Sequence, residues 1–203
     1  IVKYYKNMAL IKQNGYFRHE SAEIGPKAQV GQGTKIWHQC QVMDGAQIGE
    51  NCTLGHNIFV AAKARIGNNV KIQSNTDVWE GVELADFVFV GPSVVFTNDL
   101  KPRSRFPKDK SLWLKTIIKE DATIGANATV VCGHTIGRAA FIGAGSVVAS
   151  DIPDFSLAVG SPAEVIGWVC ECGERIFKNN KKQCSCNNCG KKYKKNGKNV
   201  SLI

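Results

Sequence analysis

Aliphatic or large apolar residues stand at every sixth position from Ile24 through Val30, Ile36, Val42, Ile48, Leu54, Val60, Ile66, Ile72, Val78, Leu84 and Val90 to Phe96. The series resumes in a new phase at Ile118, Ile124, Val130, Ile136, Ile142 and Val148. A small or β-branched residue follows four places later in most hexads, as at Ala28, Thr34, Cys40, Ala46, Cys52, Ala64, Val70 and Thr76. A period of six suits neither a helix of 3.6 residues per turn nor a plain alternating strand. It suits a two-residue strand and a tight corner, three of which close a triangular coil. Gly and Asn recur where the corners need positive φ, as in Ile48-Gly49, Ile124-Gly125 and Asn51. The pattern therefore predicts an all-β chain, a left-handed parallel β-helix of hexapeptide repeats. The expected divisions are an N-terminal segment over 1–20, coils over 21–150, a return segment over 151–169 and a Cys/Lys-rich tail over 170–203.

The phase break predicts a loop thrown out over 97–117. It carries two prolines and a cluster of Lys and Arg. A long excursion from so regular a fold is usually functional.

Stacking fixes a second expectation. Three hexads make one coil, so residues 18 apart lie above one another, about 4.8 Å apart. His38, His56 and Ser74 then form one corner column, beside Gln39, Asn57, Asn75 and Ser93. A second column holds Asp44, Ala62, Glu80 and Asn98, with Trp79 beside Glu80. Corners are polar in any such prism, and the column Gly33, Asn51, Asn69 needs no function. The histidine and amide ladder is the densest uncharged polar cluster. His134 falls at an inward small position and reads as a core residue; His19 precedes the repeats and carries no signal.

The formal charge of +9 comes from the loop and from a lysine-rich run between Lys178 and Lys198. Such a balance fits nucleic acid, an anionic surface or phosphate-rich small ligands. Few aromatics interleave the lysines, so nucleic acid is not the expected partner. No signal peptide or stretch long enough to span a membrane is seen, and a cytoplasmic location is expected. The chain begins at Ile1 rather than methionine, with Met8 a candidate natural start.

Several stretches are not dictated by the hexad. They are Lys35-Ile36-Trp37-His38, Gly91 to Asn98, Pro102-Arg103-Ser104 and Gly167 to Arg175. Through them the chain resembles the hexapeptide-repeat N-acetyltransferases of nucleotide-linked 3-amino sugars. It looks most like those acting on UDP-2-acetamido-3-amino-2,3-dideoxy-glucuronate; enzymes of dTDP-3-amino-dideoxyhexoses share the architecture. The resemblance implies a homotrimer with sites between subunits, acetyl-CoA as co-substrate and a nucleotide-sugar acceptor made for surface polysaccharide. Asn75, His38 and His56 become the catalytic candidates. Asn57, Trp79, Glu80, Asn98 and Arg103 become candidates for binding the sugar nucleotide. Acetyl-CoA is expected along Ala126, Gly143 and Ala144, with Lys115 and Arg138 at its phosphates and Pro162 near its adenine.

In the tail, Cys170-Glu171-Cys172-Gly173 and Cys186-Asn187-Asn188-Cys189-Gly190 resemble the paired knuckles of a zinc ribbon, the first one residue short. Cys170, Cys172, Cys186 and Cys189 are thus candidate ligands of a structural zinc. Two rival readings share the prism: O-acetylation of a sugar hydroxyl, and a scaffold whose tail binds a partner. A β-helix carbonic anhydrase needs closely spaced histidines that His38, His56 and His134 do not provide.

Overall fold

A computed structural model describes residues 10–177, 181–197 and 199–203. The early segment over 1–9, with Met8, and part of the lysine run lie outside the described residues. The chain winds as a left-handed parallel β-helix of short strands. Its faces are sheets of eleven, seven and six strands. Face 1 carries Lys35–Ile36, Thr53–Leu54, Lys71–Ile72 and Phe89–Val90; face 2 carries Gln41–Val42, Ile58–Val60, Thr76–Val78 and Val95–Phe96; face 3 carries Gln47–Ile48, Arg65–Ile66 and Val82–Leu84.

Neighbouring coils pair at an offset of 18, as in Lys35↔Thr53, Thr53↔Lys71 and Gln41↔Phe59. The hexad aliphatics fill the prism: Ile36, Leu54, Ile72, Val90, Ile124 and Ile142 are fully buried. Each such side chain contributes roughly 1.5–3 kcal/mol by leaving water. The small partners do the same, and Thr34 and Cys52 also bond across coils: Thr34 Oγ1 donates to Gly49 O at 2.8 Å and Cys52 Sγ to Gly67 O at 3.0 Å. At Gly125 the stacking itself forbids a side chain, because a Cβ there would lie 2.5 Å from Ala144 N.

Three features depart from the expected divisions. The coils begin earlier. Tyr16–His19 joins face 1 through Phe17↔Lys35 and Arg18↔Ile36. It also forms a hairpin with Leu10–Gln13 across Asn14 (φ 48°) and Gly15 (φ 92°), the signs of a type I′ turn. Buried Tyr16 plugs the open end. The loop is shorter than expected, because Thr116–Ile118 is already a strand on face 3. The coils also continue past Val148. Ile152 bridges Ile136, and Ser156–Val159 pairs with Phe141–Ile142 before turning back antiparallel along Glu164–Val169.

The tail forms a three-stranded sheet of Gln183–Ser185, Lys192–Asn196 and Asn199–Leu202. Its core is shared with the prism: Tyr193, Val200, Cys170, Cys186, Trp168 and Ile176 pack with Ala139 and Phe155. No helix among the described residues is long and apolar enough to cross a membrane.

Candidate active site

One corner of the prism, between faces 1 and 2, gathers most of the candidate chemistry. The positive φ of Gln39 (57°), Asn57 (57°), Asn75 (62°) and Ser93 (58°) turns the chain there, and side chains that tolerate the left-handed region are the ones present. Backbone bonds stack this corner: Asn57 N–H to His38 O at 2.9 Å, Asn75 N–H to His56 O at 3.1 Å, and Ser93 N–H to Ser74 O at 2.9 Å. The ladder continues downward through Asn127 N–H to Pro92 O at 2.9 Å and Gly145 N–H to Ala126 O at 2.8 Å. The ridge therefore runs from the histidines through Ser74 and Pro92 to Ala126 and Ala144. The top is polar and the bottom small.

Along the top, the rings of His19 and His38 stack with centroids 3.8 Å apart. His19 is buried, its Nδ1 accepting from Ser21 N–H at 3.2 Å and lying 2.8 Å from Ser21 Oγ, which accepts from Gln39 N–H at 3.0 Å. His19 thus packs its ring on the column, although the offset of 18 sets it over Trp37 and sets Glu20 over His38. Arg18 hid this coil by occupying a position where the hexad calls for an aliphatic. His56 is exposed, its Nδ1 3.0 Å from Ser74 Oγ. Burial first, and then the neighbouring His19 and His56, hold His38 below the ordinary imidazole value. Asn57 Nδ2 donates to Asn75 Oδ1 at 3.0 Å, which leaves the Asn75 amide N–H groups without a protein partner among the described residues.

Beside this ridge, on face 2, lies a cleft of about 370 Å³ lined by Ser21, Glu23, Gln39, Gln41, Asn57, Ile58, Phe59 and Asp77. Glu23, Gln41, Phe59 and Asp77 stand in register on successive strands. Glu23, Phe59 and Asp77 did not enter the sequence reading, although the offset of 18 was enough to align them with Gln41. The lining has carboxylates and amides but no cation, an environment for an amine and hydroxyls rather than for phosphate.

The second expected column lies across face 2, at its other edge. Glu80 is paired with Lys63 Nζ at 2.8 Å, the solvated-carboxylate alternative to sugar binding. Trp79 is half-buried against the core, with Phe59 at a centroid distance of 5.3 Å. The loop leaves from this edge after Asn98. Lys108 and Lys101 N–H bind Asp99, a short 3-10 turn spans Lys110–Leu112, and Leu114 covers Gly133. Arg103 is exposed. One chain therefore does not bring Arg103 and Asn98 to the ridge of Asn75.

Of the acetyl-CoA candidates, Ala126 and Ala144 lie on the ridge, with Ala144 exposed. Gly143 has a packing reason of its own, since a Cβ there would meet Val159 Cγ1 at 2.7 Å. Lys115 lies 3.1 Å from Glu83 on face 3, and Pro162 is exposed after a cis Ser161–Pro162 bond. Arg138 must be reassigned. Its guanidinium bonds Glu171 at 2.6 Å, with Glu120 at 3.7 Å and Asp121 at 3.9 Å. Three carboxylates repel a phosphate. His134 is corrected likewise: it is half-buried, with Nδ1 3.6 Å from Asp151, and is not a core residue. Cys170, Cys172, Cys186 and Cys189 are brought together, every pair of ligand atoms within 4.8 Å.

Two family models match the coils: the bacterial transferase hexapeptide over residues 21–57, and the hexapeptide repeat of succinyl-transferase over 45–78 and 115–150. The matched residues lie within the coils and make up less than half of the chain. Among curated proteins this hexapeptide-repeat chain is similar to dTDP-3-amino-3,6-dideoxy-alpha-D-galactopyranose 3-N-acetyltransferase of Aneurinibacillus thermoaerophilus. The two are 49% identical over 81 residues, 39% of this chain and 41% of that protein. It is also similar to 2,3,4,5-tetrahydropyridine-2,6-dicarboxylate N-acetyltransferase of Staphylococcus aureus, 35% identical over 79 residues, 39% of this chain and 30% of that one. The aligned stretch thus spans less than half the length of either relative. Among solved structures, a mutant GDP-perosamine N-acetyl transferase from Caulobacter crescentus, in complex with CoA and GDP-perosamine, superposes with a TM-score of 0.50. That match has 25% identity over 75% of this chain and 56% of that one.

Proposed function

We propose that the chain transfers the acetyl group of acetyl-CoA to the 3-amine of a nucleotide-linked amino sugar, a UDP-3-amino-uronate or a dTDP-3-amino-dideoxyhexose destined for surface polysaccharide. The observation that carries this reading is the single ridge that joins an amide and histidine ladder to small residues with accessible backbone. Its likeness to the 3-N-acetyltransferase of dTDP-3-amino-3,6-dideoxy-galactose supports the acceptor class.

The amine nitrogen attacks the thioester carbonyl carbon, the C–S bond breaks, and the nitrogen loses a proton. Positioning the two reactants within about 3–3.5 Å supplies much of the rate. The cleft lined by Glu23 and Asp77 receives the amine end of the sugar, and the free Asn75 amide orients it. Pantetheine runs down the ridge past Ala126 and Ala144. The proton passes to a neutral histidine of the column or to the departing CoA thiolate. Burial and the two neighbouring imidazoles favour the neutral form of His38, the form a general base requires.

The neutral His38 of the folded chain is retained as pH falls below the unfolded imidazole value of about 6.5 and is protonated only at a lower pH. Its contribution to stability is accordingly present above about pH 6.5 and lost as pH falls toward the folded value. The ratio of wild-type to His38→Asn kcat/KM cancels the titration of the acceptor amine. It is expected to be about 10²-fold, constant above pH 6.5 and falling below it. A ratio near one at every pH assigns the proton to the CoA thiolate.

The loop and the ridge occupy opposite edges of face 2. Packing of prisms about a threefold axis would set the basic loop of one chain, with Arg103, against the ridge of the next, and we infer a homotrimer on that ground. Face 2 presents Phe59 and Val95 outward, with Val95 51% exposed. Val95→Lys is expected to shift the molar mass in sedimentation equilibrium from about three times 22.1 kDa toward 22.1 kDa. An unchanged trimer would remove face 2 from the interface.

The test of the function as a whole is thiol release from acetyl-CoA with UDP- and dTDP-linked amino sugars. Turnover with a 3-amino sugar is the expected result. Turnover only with acceptors that offer a hydroxyl would replace it with O-acetylation.

A further inference from the structure

The tail is too small to bury a core of its own, and a module of this size ordinarily needs a staple. Four sulfurs occupy the place of one. Cys170 Sγ lies 3.3 Å from Cys189 Sγ, and Cys172 Sγ lies 3.6 Å from Cys186 Sγ. A disulfide needs about 2.05 Å. Four thiolates around zinc, with bonds of about 2.3 Å at tetrahedral angles, stand about 3.8 Å apart. The observed pairs sit close to the second value, and all four atoms fall within 4.8 Å of one another. The remaining tail thiol, Cys184, lies outside this group.

Both ligand loops are shaped as tight turns. Gly173 N–H donates to Cys170 O at 2.8 Å, and Gly190 N–H to Cys186 O at 3.0 Å. Each glycine has positive φ, 87° and 76°. The first loop makes its turn although it is one residue shorter than the second. An outer layer is also in place. The Tyr193 hydroxyl is 3.0 Å from Cys170 Sγ and accepts from Glu171 N–H at 3.2 Å, and Asn188 Nδ2 is 3.6 Å from Cys172 Sγ. Partners of this kind orient the ligands of metal sites.

The decisive residue is Glu171, held between two of the ligands. One carboxylate oxygen accepts from Arg138 Nη2 at 2.6 Å, and the other pairs with Lys191 of the second ligand loop. Arg138 belongs to the prism. It lies at the corner between Thr135–Ile136 and Phe141–Ile142, with its guanidinium over Phe155 at 5.7 Å and its N–H donating to Asp154 at 2.8 Å.

We propose that a zinc ion held by Cys170, Cys172, Cys186 and Cys189 assembles the C-terminal module and, by fixing Glu171, clamps that module onto Arg138 as the cap of the last coils. Four thiols bind as thiolates, their protons passing to solvent, and no redox step is involved. Soft thiolates in a closed tetrahedral set select zinc over the hard cations. The clamp also accounts for a prism residue, Arg138, whose charge would otherwise be spent against three carboxylates for no purpose.

The full chain, purified without chelator, is expected to hold one zinc per chain by plasma mass spectrometry. Mercurial titration should release that zinc to 4-(2-pyridylazo)resorcinol as the four thiols are consumed. Cys189→Ser is expected to lower zinc content at least tenfold, whereas Cys184→Ser retains it and controls for misfolding. Glu171→Gln should keep the metal but expose the tail to limited proteolysis, leaving a protected prism fragment. Absence of stoichiometric metal, with all four thiols reacting in the native protein at the rate of free cysteine, would overturn the site. A disulfide-linked tail on mass mapping would do the same. Wild-type protease resistance in Glu171→Gln would overturn the clamp while leaving the metal.

Discussion

Asn75→Asp is expected to lower kcat/KM for the amino-sugar acceptor by about 10²–10³-fold, the size of effect seen when one preorganised donor is lost from a reacting centre. The substitution is chosen to change little else. Asn75 sits at φ 62°, where alanine would be strained. Aspartate tolerates the left-handed region and keeps the shape. It also keeps an oxygen for the Asn57 Nδ2 donor at 3.0 Å. What disappears is the pair of amide N–H groups that no protein atom among the described residues uses. A new carboxylate beside Asp77 and Glu23 adds negative charge to a cleft that already lacks a cation. An amine would then be held more firmly as the ammonium, which cannot attack. KM is therefore expected to change little while kcat falls, and the melting temperature should stay within a few degrees of wild type. Equal kcat in the two proteins would move the acceptor site off this corner.

The residues that make this corner were legible to different degrees. The period of six and the offset of 18 are consequences of coil geometry, so His38, His56, Ser74 and the amides could be stacked on paper. The observed pairings Lys35↔Thr53 and Thr53↔Lys71 have the expected spacing. The first coil was hidden because Arg18 stands where the hexad expects an aliphatic and Tyr16 fills the interior instead. With that coil went His19 and Ser21. Face-2 residues such as Phe59 and Asp77 were equally alignable, but outward strand positions carry no compositional mark that separates a binding face from a solvated one. Arg138 was misread for another reason. Its partner Glu171 is 33 positions away, in a tail whose docking depends on packing of Phe155, Tyr193 and Trp168 that no periodicity encodes.

Excising residues 99–114 is expected to leave the prism folded and to abolish turnover of the sugar nucleotide. Coil register decides the outcome. Coil pairing runs at an offset of 18 up to the loop, and then at 34 in Val82↔Thr116, Phe89↔Thr123 and Val95↔Thr129. Beyond it the offset returns to 18 in Thr123↔Phe141 and Thr129↔Val147. The difference of 34 and 18 is 16, the number of residues in 99–114, so the loop is an insertion that the coil geometry does not use. Removing that number restores the period. Removing one more or one fewer places Ile118 and its successors outward and turns an inward row of aliphatics into a solvent-facing one. The three deletions thus form a graded test. The 16-residue deletion should retain cooperative unfolding, with a modest loss from uncovering Gly133 where Leu114 lay. The 15- and 17-residue deletions should fail to fold. In the folded variant, binding of CoA along the ridge is expected to persist, because Ala126 and Ala144 are untouched. Binding of the acceptor should be lost with Arg103, since the cleft has no cation of its own to hold a diphosphate. If the shortened protein turns over the sugar nucleotide at the wild-type rate, the phosphates are held elsewhere and the loop is not part of the site.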